Sequence, residues 1–242
     1  MKDSLPSGRF LTTRWSVVLE AGRTEGGSST RRALEALCKS YWFPIYAFVR
    51  RRGNDADDAA DLTQEFFARL FERQDLARAR PELGRFRSFL LVATKNFLAN
   101  DWDRRTADKR GGGRTPLSFD VEDAEERYRR EPVDDWTPER AFARSWALTL
   151  LDAVLERLGG DYENAGKGAL FEALRGTLVA GREAPPYVEL ADQLGLSEGA
   201  VKVAAHRLRQ RYKELLRAEI SETLADPGDV EDEIRGLFEA LG

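Results

Sequence analysis

Apolar residues in this chain recur at three- and four-residue steps almost from end to end, and no stretch sustains the two-residue alternation of a half-buried strand. That period lines apolar side chains along one face of a helix, so the chain is confined to an all-α fold. Leu34, Leu37, Tyr41, Ile45 and Phe48 form one such face, and Pro44 is expected to kink it. Gly53-Asn54-Asp55 supplies a stop and a turn. Leu62, Phe66, Leu70 and Phe71 mark a second helix. Phe86, Phe89, Leu90, Ala93, Phe97 and Leu98 mark a third, over residues 85–105. Ahead of these, Thr12-Thr13 is expected to cap a short helix that buries Trp15, Val18 and Leu19.

The pattern fails over residues 109–136, where Gly, Arg, Asp and Glu dominate and only Leu117, Phe119 and Val121 offer apolar anchors. Loops of that length are uncommon inside a compact domain, so the stretch reads as a flexible, charged interdomain linker. Thr137-Pro138 then opens a helix with a cap and a first-turn proline. It buries Phe142, Trp146, Leu150, Val154 and Leu158 and is expected to end at Gly159-Gly160. Another helix is expected over 167–180. The sequence thus divides into an N-terminal helical domain (1–110), a linker (111–136), a second helical domain (137–220) and an acidic helical tail (221–242). In the tail, Val230, Ile234, Leu237, Phe238 and Leu241 share one face. That face suits plain packing on the second domain, a fold-back over its basic helix, or a regulator, and packing is the simplest of the three.

Residue scarcities narrow the chemistry. One cysteine, Cys38, excludes an internal disulfide, and with one histidine, His206, no Cys/His zinc cluster can form. A Ser/His/Asp triad would need His206, which lies in a strongly basic helix. Gly111-Gly112-Gly113 lacks the strand and helix that a phosphate-binding loop requires. No metal, cofactor or small-molecule substrate is expected, and the chain reads as a non-enzyme. No apolar run approaches the about 20 residues of a membrane span, and no signal-like apolar core follows the N-terminus, so a cytoplasmic location is expected. The net charge of −4 would by itself argue against nucleic acid. Its distribution argues otherwise: residues 85–114 and 202–217 are basic, while 120–139 and the stretch from 219 onward are acidic.

The second basic block begins within a helix-turn-helix pattern over residues 187–204. Ala191 is small where two helices approach, Gly195 stands where the turn needs a left-handed residue, and Ser197 can cap the second helix. Leu190, Leu194, Leu196, Val201 and Ala204 supply the shared core. Val201, Ala205, Leu208, Tyr212 and Leu215 continue the inward face, which leaves Lys202, His206, Arg207, Arg209, Gln210, Arg211 and Lys213 for other faces. Cations beside the N-terminal part of such a helix suit DNA, where they meet phosphates flanking the major groove.

This helix-turn-helix with its Arg-rich trailing helix resembles region 4 of the extracytoplasmic-function (ECF) sigma factors of the sigma-70 family. The first half resembles region 2 of the same family through Asp61-Leu62-Thr63-Gln64-Glu65-Phe66-Phe67, Phe86-Arg87-Ser88-Phe89-Leu90, Asn96 and Arg104-Arg105. The resemblance covers about residues 30–110 and 138–217. It implies a subunit that binds core RNA polymerase and directs promoter recognition and transcription initiation, region 2 on the minus-10 element and region 4 on the minus-35 element. By position it places Asp61, Gln64 and Glu65 against polymerase. It places Lys95, Asn96, Trp102, Arg104 and Arg105 near the opened minus-10 strand, with Phe97 and Trp102 as stacking or core groups. Ser197, Lys202, His206, Arg207 and Arg209 fall on the minus-35 duplex. The partners implied are core polymerase and promoter DNA, with an anti-sigma factor or a Ser/Thr kinase as candidate regulators.

The pattern departs from the family at Ala60, where a carboxylate is usual, and at Thr63, where a small apolar residue is usual. A phosphate on Thr63 would add about −1.5 to −2 charges to a surface that has lost one, which makes Thr63 a candidate phosphorylation site. Two other classes stay open on the residues alone. A stand-alone helix-turn-helix regulator would bind duplex operators without polymerase, and a helical carboxylate enzyme would use pairs such as Asp57/Asp61 or Asp61/Glu65.

Overall fold

A computed structural model describes residues 15–22, 27–72, 76, 79–107, 121–130, 136–179, 185–224 and 226–242. Eleven α-helices and no strand occur among them. The helices fall into two compact units. One holds the described residues up to Leu150 together with Ser221–Gly242, and the other holds Leu151–Ile220. The division falls within a helix rather than before it.

In the first unit, α1 (Trp15–Ala21) packs on α2 (Ser28–Arg51), which packs in turn on α3 (Ala56–Glu72). α4 spans Phe86–Ala107. The core is the face read from the sequence: Leu37, Tyr41, Ile45 and Phe48 of α2, Leu62, Phe66 and Leu70 of α3, and Phe86 and Leu90 of α4 are all buried. Phe86 receives Trp15 and Tyr41 edge-on, at ring separations of 5.9 and 5.6 Å, the arrangement that ring quadrupoles favour.

α2 runs as one helix through Pro44, because a buried proline removes one ladder bond without ending the span. In α1, Trp15, Val17 and Val18 are buried while Leu19 is exposed, so Val17 takes the place expected of Leu19. The Thr12-Thr13 cap lies outside the described residues. The turn after α2 forms as read: Gly53 has φ +93°, Asn54 Nδ2 donates to Val49 O at 2.9 Å, and Asp55 Oδ1 caps α3 by accepting from Asp58 N–H at 2.8 Å.

The segment expected to be a structureless linker contains a helix, α5 (Val121–Arg130), packed against α2 and α3. Ionic and aromatic contacts hold it there. The Tyr46 hydroxyl donates to Glu125 Oε2 at 2.6 Å, and Arg50 grips the same carboxylate through Nε at 2.9 Å and Nη2 at 2.8 Å. The Arg127 guanidinium lies 4.1 Å from the Phe43 ring centre, and that of Arg50 lies 4.9 Å from the Tyr128 ring centre. With Arg50 bound to it, the Glu125 carboxyl is held below the usual carboxylate range. Burial and the adjacent carboxylate push the Tyr46 phenol up.

α6 (Pro138–Asn164) starts on the expected cap, with Arg140 N–H donating to Thr137 Oγ1 at 3.2 Å. It does not stop at Gly159-Gly160. It continues to Asn164 and gives way to Gly166, which has φ +68°. Gly159 is needed for packing instead, because a Cβ there would meet Phe171 Cε1 at 2.9 Å. The helix expected over 167–180 is two pieces, α7 (Gly168–Leu174) and α8 (Gly176–Val179).

The acidic tail forms α11 (Val230–Leu241) and packs in the first unit, not on the helix-turn-helix domain. Glu233 is 1% exposed and sits between Arg85 (Nε, 2.8 Å) and Arg87 (Nη1, 2.9 Å). The Arg87 guanidinium also lies 4.3 Å from the Trp146 ring centre. Leu237 is buried, Val230, Ile234 and Leu241 are half-buried, and Phe238 is exposed. Arg144 donates to the Leu241 carbonyl, and Trp15 N–H donates to Glu222 O at 3.1 Å. A strongly acidic helix lands here because this unit offers Arg87, largely buried, with the more exposed Arg85 beside it.

Candidate nucleic-acid interface

Two sets of cation-bearing surfaces can be built from the residues upward, one in each unit. In the second unit, α9 (Tyr187–Leu194) is followed by Gly195 at φ +64°, ψ 31°. The Leu196 N–H returns to Ala191 O at 3.0 Å and the Gly195 N–H to Asp192 O at 3.4 Å. These paired return bonds close a helix end on a left-handed residue. One residue later Ser197 Oγ accepts from Ala200 N–H at 3.2 Å and starts α10 (Glu198–Ser221). A helix, a three-residue turn and a second helix thus form as the sequence indicated.

The shared core is narrower than expected at Leu194, Leu196 and Ala204. Leu190, Ala191, Val201, Ala205 and Leu208 are buried, Leu194 and Ala204 are half-buried, and Leu196 is 44% exposed. Ala205 lies four residues after Val201, in line with its buried face, and Ala204 falls to the side of it. Tyr212 leans inward, its hydroxyl 3.5 Å from Leu151 O, and burial pushes its phenol up to about 12. Lys202, His206, Arg207, Arg211 and Lys213 stay exposed. Several of the cations have acidic or phenolic neighbours that the sequence reading had not assigned. Lys202 Nζ is 2.6 Å from Glu198, Arg209 donates to the Tyr187 hydroxyl, and Arg211 contacts Asp161 at 3.2 Å. The Glu198–Lys202 pair was legible as a four-residue helix spacing. The other two partners come from distant helices and left no local signal.

In the first unit, α3 presents Asp61 exposed and Gln64 and Glu65 half-buried, and Glu65 is bridged by Arg69. Thr63, on the opposite side of that helix, is fully buried and donates from Oγ1 to Ala59 O at 2.7 Å. A phosphate cannot be accommodated there while α3 is packed. On α4, Asn96 is exposed, and Lys95 pairs with Glu139 of α6 at 2.7 Å, which holds the Glu139 carboxyl below its usual range. Phe97 is core: it meets Phe66 edge-on at 5.7 Å, and the Arg69 guanidinium lies 5.0 Å from its ring centre. Trp102, Arg104 and Arg105 fall within α4, and their side chains lie outside the described residues.

Among the described residues no group of three or more His, Cys, Asp or Glu side chains is placed to hold a metal. Cys38 is buried, and burial together with Glu35 pushes its thiol up to about 12. Among the described residues no helix is long and apolar enough to cross a membrane.

Against known proteins, residues 38–107 match the family model for sigma-70 region 2. These residues include most of α2, all of α3 and all of α4. Over that stretch the chain is similar to the sigma-70 factors. Over 198 residues the chain is 27% identical to the ECF RNA polymerase sigma factor SigE of Mycolicibacterium smegmatis, an alignment covering 82% of this chain and 67% of the relative. No solved structure matches the chain.

Proposed function

We propose that this chain is an ECF-type sigma factor that binds core RNA polymerase and directs transcription initiation, with α3 on polymerase, α4 on the opened minus-10 strand and α10 in the major groove of the minus-35 duplex. The observation that carries the reading is the match of α2–α4 to sigma-70 region 2, in one chain with a helix-turn-helix closed by left-handed Gly195 and capped by Ser197. Asp61, Gln64 and Glu65 are the polymerase contacts. Lys95, Asn96, Trp102, Arg104 and Arg105 serve the minus-10 strand, and Ser197, Lys202, His206, Arg207 and Arg209 serve the minus-35 element. An overall acidic protein needs polymerase to bring both basic surfaces to DNA together, because phosphate contacts supply most non-specific affinity.

A direct test is retention of the purified chain by immobilised core polymerase. The wild type is expected to be retained, and the Asp61→Lys variant, which changes α3 at an exposed position, is expected to be lost. Equal retention of both would remove α3 from the interface. Regulation by an anti-sigma factor or by a Ser/Thr kinase acting on Thr63 belongs to the same reading. Modification of Thr63 requires α3 to open locally, since its hydroxyl is buried and bonded. A Thr63→Ala variant that supports transcription in cells as well as wild type would remove the kinase.

A further inference from the structure

Val203 is 51% exposed on α10, between buried Val201 and buried Ala205. A β-branched residue at an exposed helix position gains nothing from packing and lowers helix propensity relative to alanine or lysine. Single exposed apolar side chains are ordinary on protein surfaces, but the surroundings of this one are particular. Val203 lies in the second turn of the helix that follows the turn, the part of a recognition helix that reaches base edges. Exposed Lys202 precedes it, and exposed His206 and Arg207 follow at three and four residues, on the same face. Ala200, one turn earlier, is exposed and small, so no long side chain stands between this face and a groove floor. Lys202 is held by Glu198 at 2.6 Å and Arg209 by the Tyr187 hydroxyl, which leaves the exposed His206 and Arg207 side chains to meet phosphates beside Val203.

We propose that Val203 reads the C5-methyl group of a thymine in the minus-35 duplex, so that this side chain, flanked by His206 and Arg207 on the phosphates, sets a base preference of the sigma factor. In the major groove only the A·T pair presents a methyl, and an apolar side chain recognises it by contact while hydrogen-bonding groups read the other bases. The inference rests on α10 being the minus-35 reading helix and adds to that reading a specificity-determining residue and the chemical group it reads.

The test uses holoenzyme assembled from core polymerase and the full chain, with promoters recovered by run-off transcription from a library randomised over the minus-35 element. In the best promoter each minus-35 thymine is replaced in turn by uracil, which removes the methyl and keeps the base pair. Uracil at one position is expected to lower initiation by the wild type about fourfold, the size expected for burying one methyl-sized group. Val203→Ala, which keeps α10 helical, is expected to lower initiation on the thymine promoter to the same extent and to show no further loss with uracil. The inference is overturned if no minus-35 thymine responds to loss of its methyl, or if the Val203→Ala holoenzyme keeps the thymine-over-uracil ratio of wild type. Absence of any transcript from the library overturns the promoter reading itself, and this contact with it.

Discussion

At Gly159 an added Cβ would lie 2.9 Å from Phe171 Cε1, whereas at neighbouring Gly160 it would meet nothing within 4 Å. Both glycines are inside α6, so helix propensity favours alanine at each by about 1 kcal/mol. Packing reverses the sign at the first, where forcing a buried ring aside costs about 1–3 kcal/mol. Gly159→Ala is therefore expected to be net destabilising and Gly160→Ala to stabilise by about 0.5–1 kcal/mol, read from urea unfolding of the two variants. Two variants of equal sign would contradict the close approach. The pair also shows what the sequence conceals at this scale. Two adjacent glycines after an apolar face read as a helix stop, and only the position of Phe171, twelve residues on, reveals that one of them makes room. Gly195 was legible because its requirement is local: the turn needs a left-handed residue whatever surrounds it.

Among the elements, α9 and α10 could be placed from sequence because every one of their constraints falls within residues 187–204. α5 could not. Its residues are polar on nearly every face, and the groups that hold it, Tyr46 and Arg50, lie 79 and 75 residues from Glu125. The clasp has a pH signature. The Glu125 carboxyl is held below its ordinary value near 4.5, chiefly by the Arg50 hydrogen bond. A depressed folded-state value means that the stabilisation is fully present above the ordinary value and is lost as pH falls through the depressed one. Glu125→Gln is expected to cost about 2 kcal/mol at neutral pH, less than a fully buried pair because Arg50 is partly exposed. The gap between variant and wild type should hold from pH 7 to about pH 5 and close below it. Unfolding curves across that range check this, and a gap independent of pH would mean that the carboxylate charge contributes nothing.

For the whole molecule, the acidic tail was legible as an amphipathic helix, but its landing place was not. Plain packing on the second domain was the simplest expectation, and the structure puts Glu233 on Arg85 and Arg87 of the first unit instead. Net charge along a sequence does not say which cations burial will leave needing a partner. Glu233→Ala is expected to destabilise the protein by about 3 kcal/mol, since two arginines would be left around an empty site. Phe238→Ser, at an exposed position of the same helix, is expected to change stability by less than about 0.5 kcal/mol. Thermal unfolding of the two variants separates a docked tail from a solvated one. The region 2 elements, by contrast, were readable in full outline, because their apolar period and their family motifs coincide. The central claim is that this chain makes core RNA polymerase start at chosen sites, and the most direct measurement is mapping of transcript 5′ ends on double-stranded genomic DNA with and without the chain. The account predicts discrete new starts that appear only when it is added. Starts identical to those of core polymerase alone would contradict it.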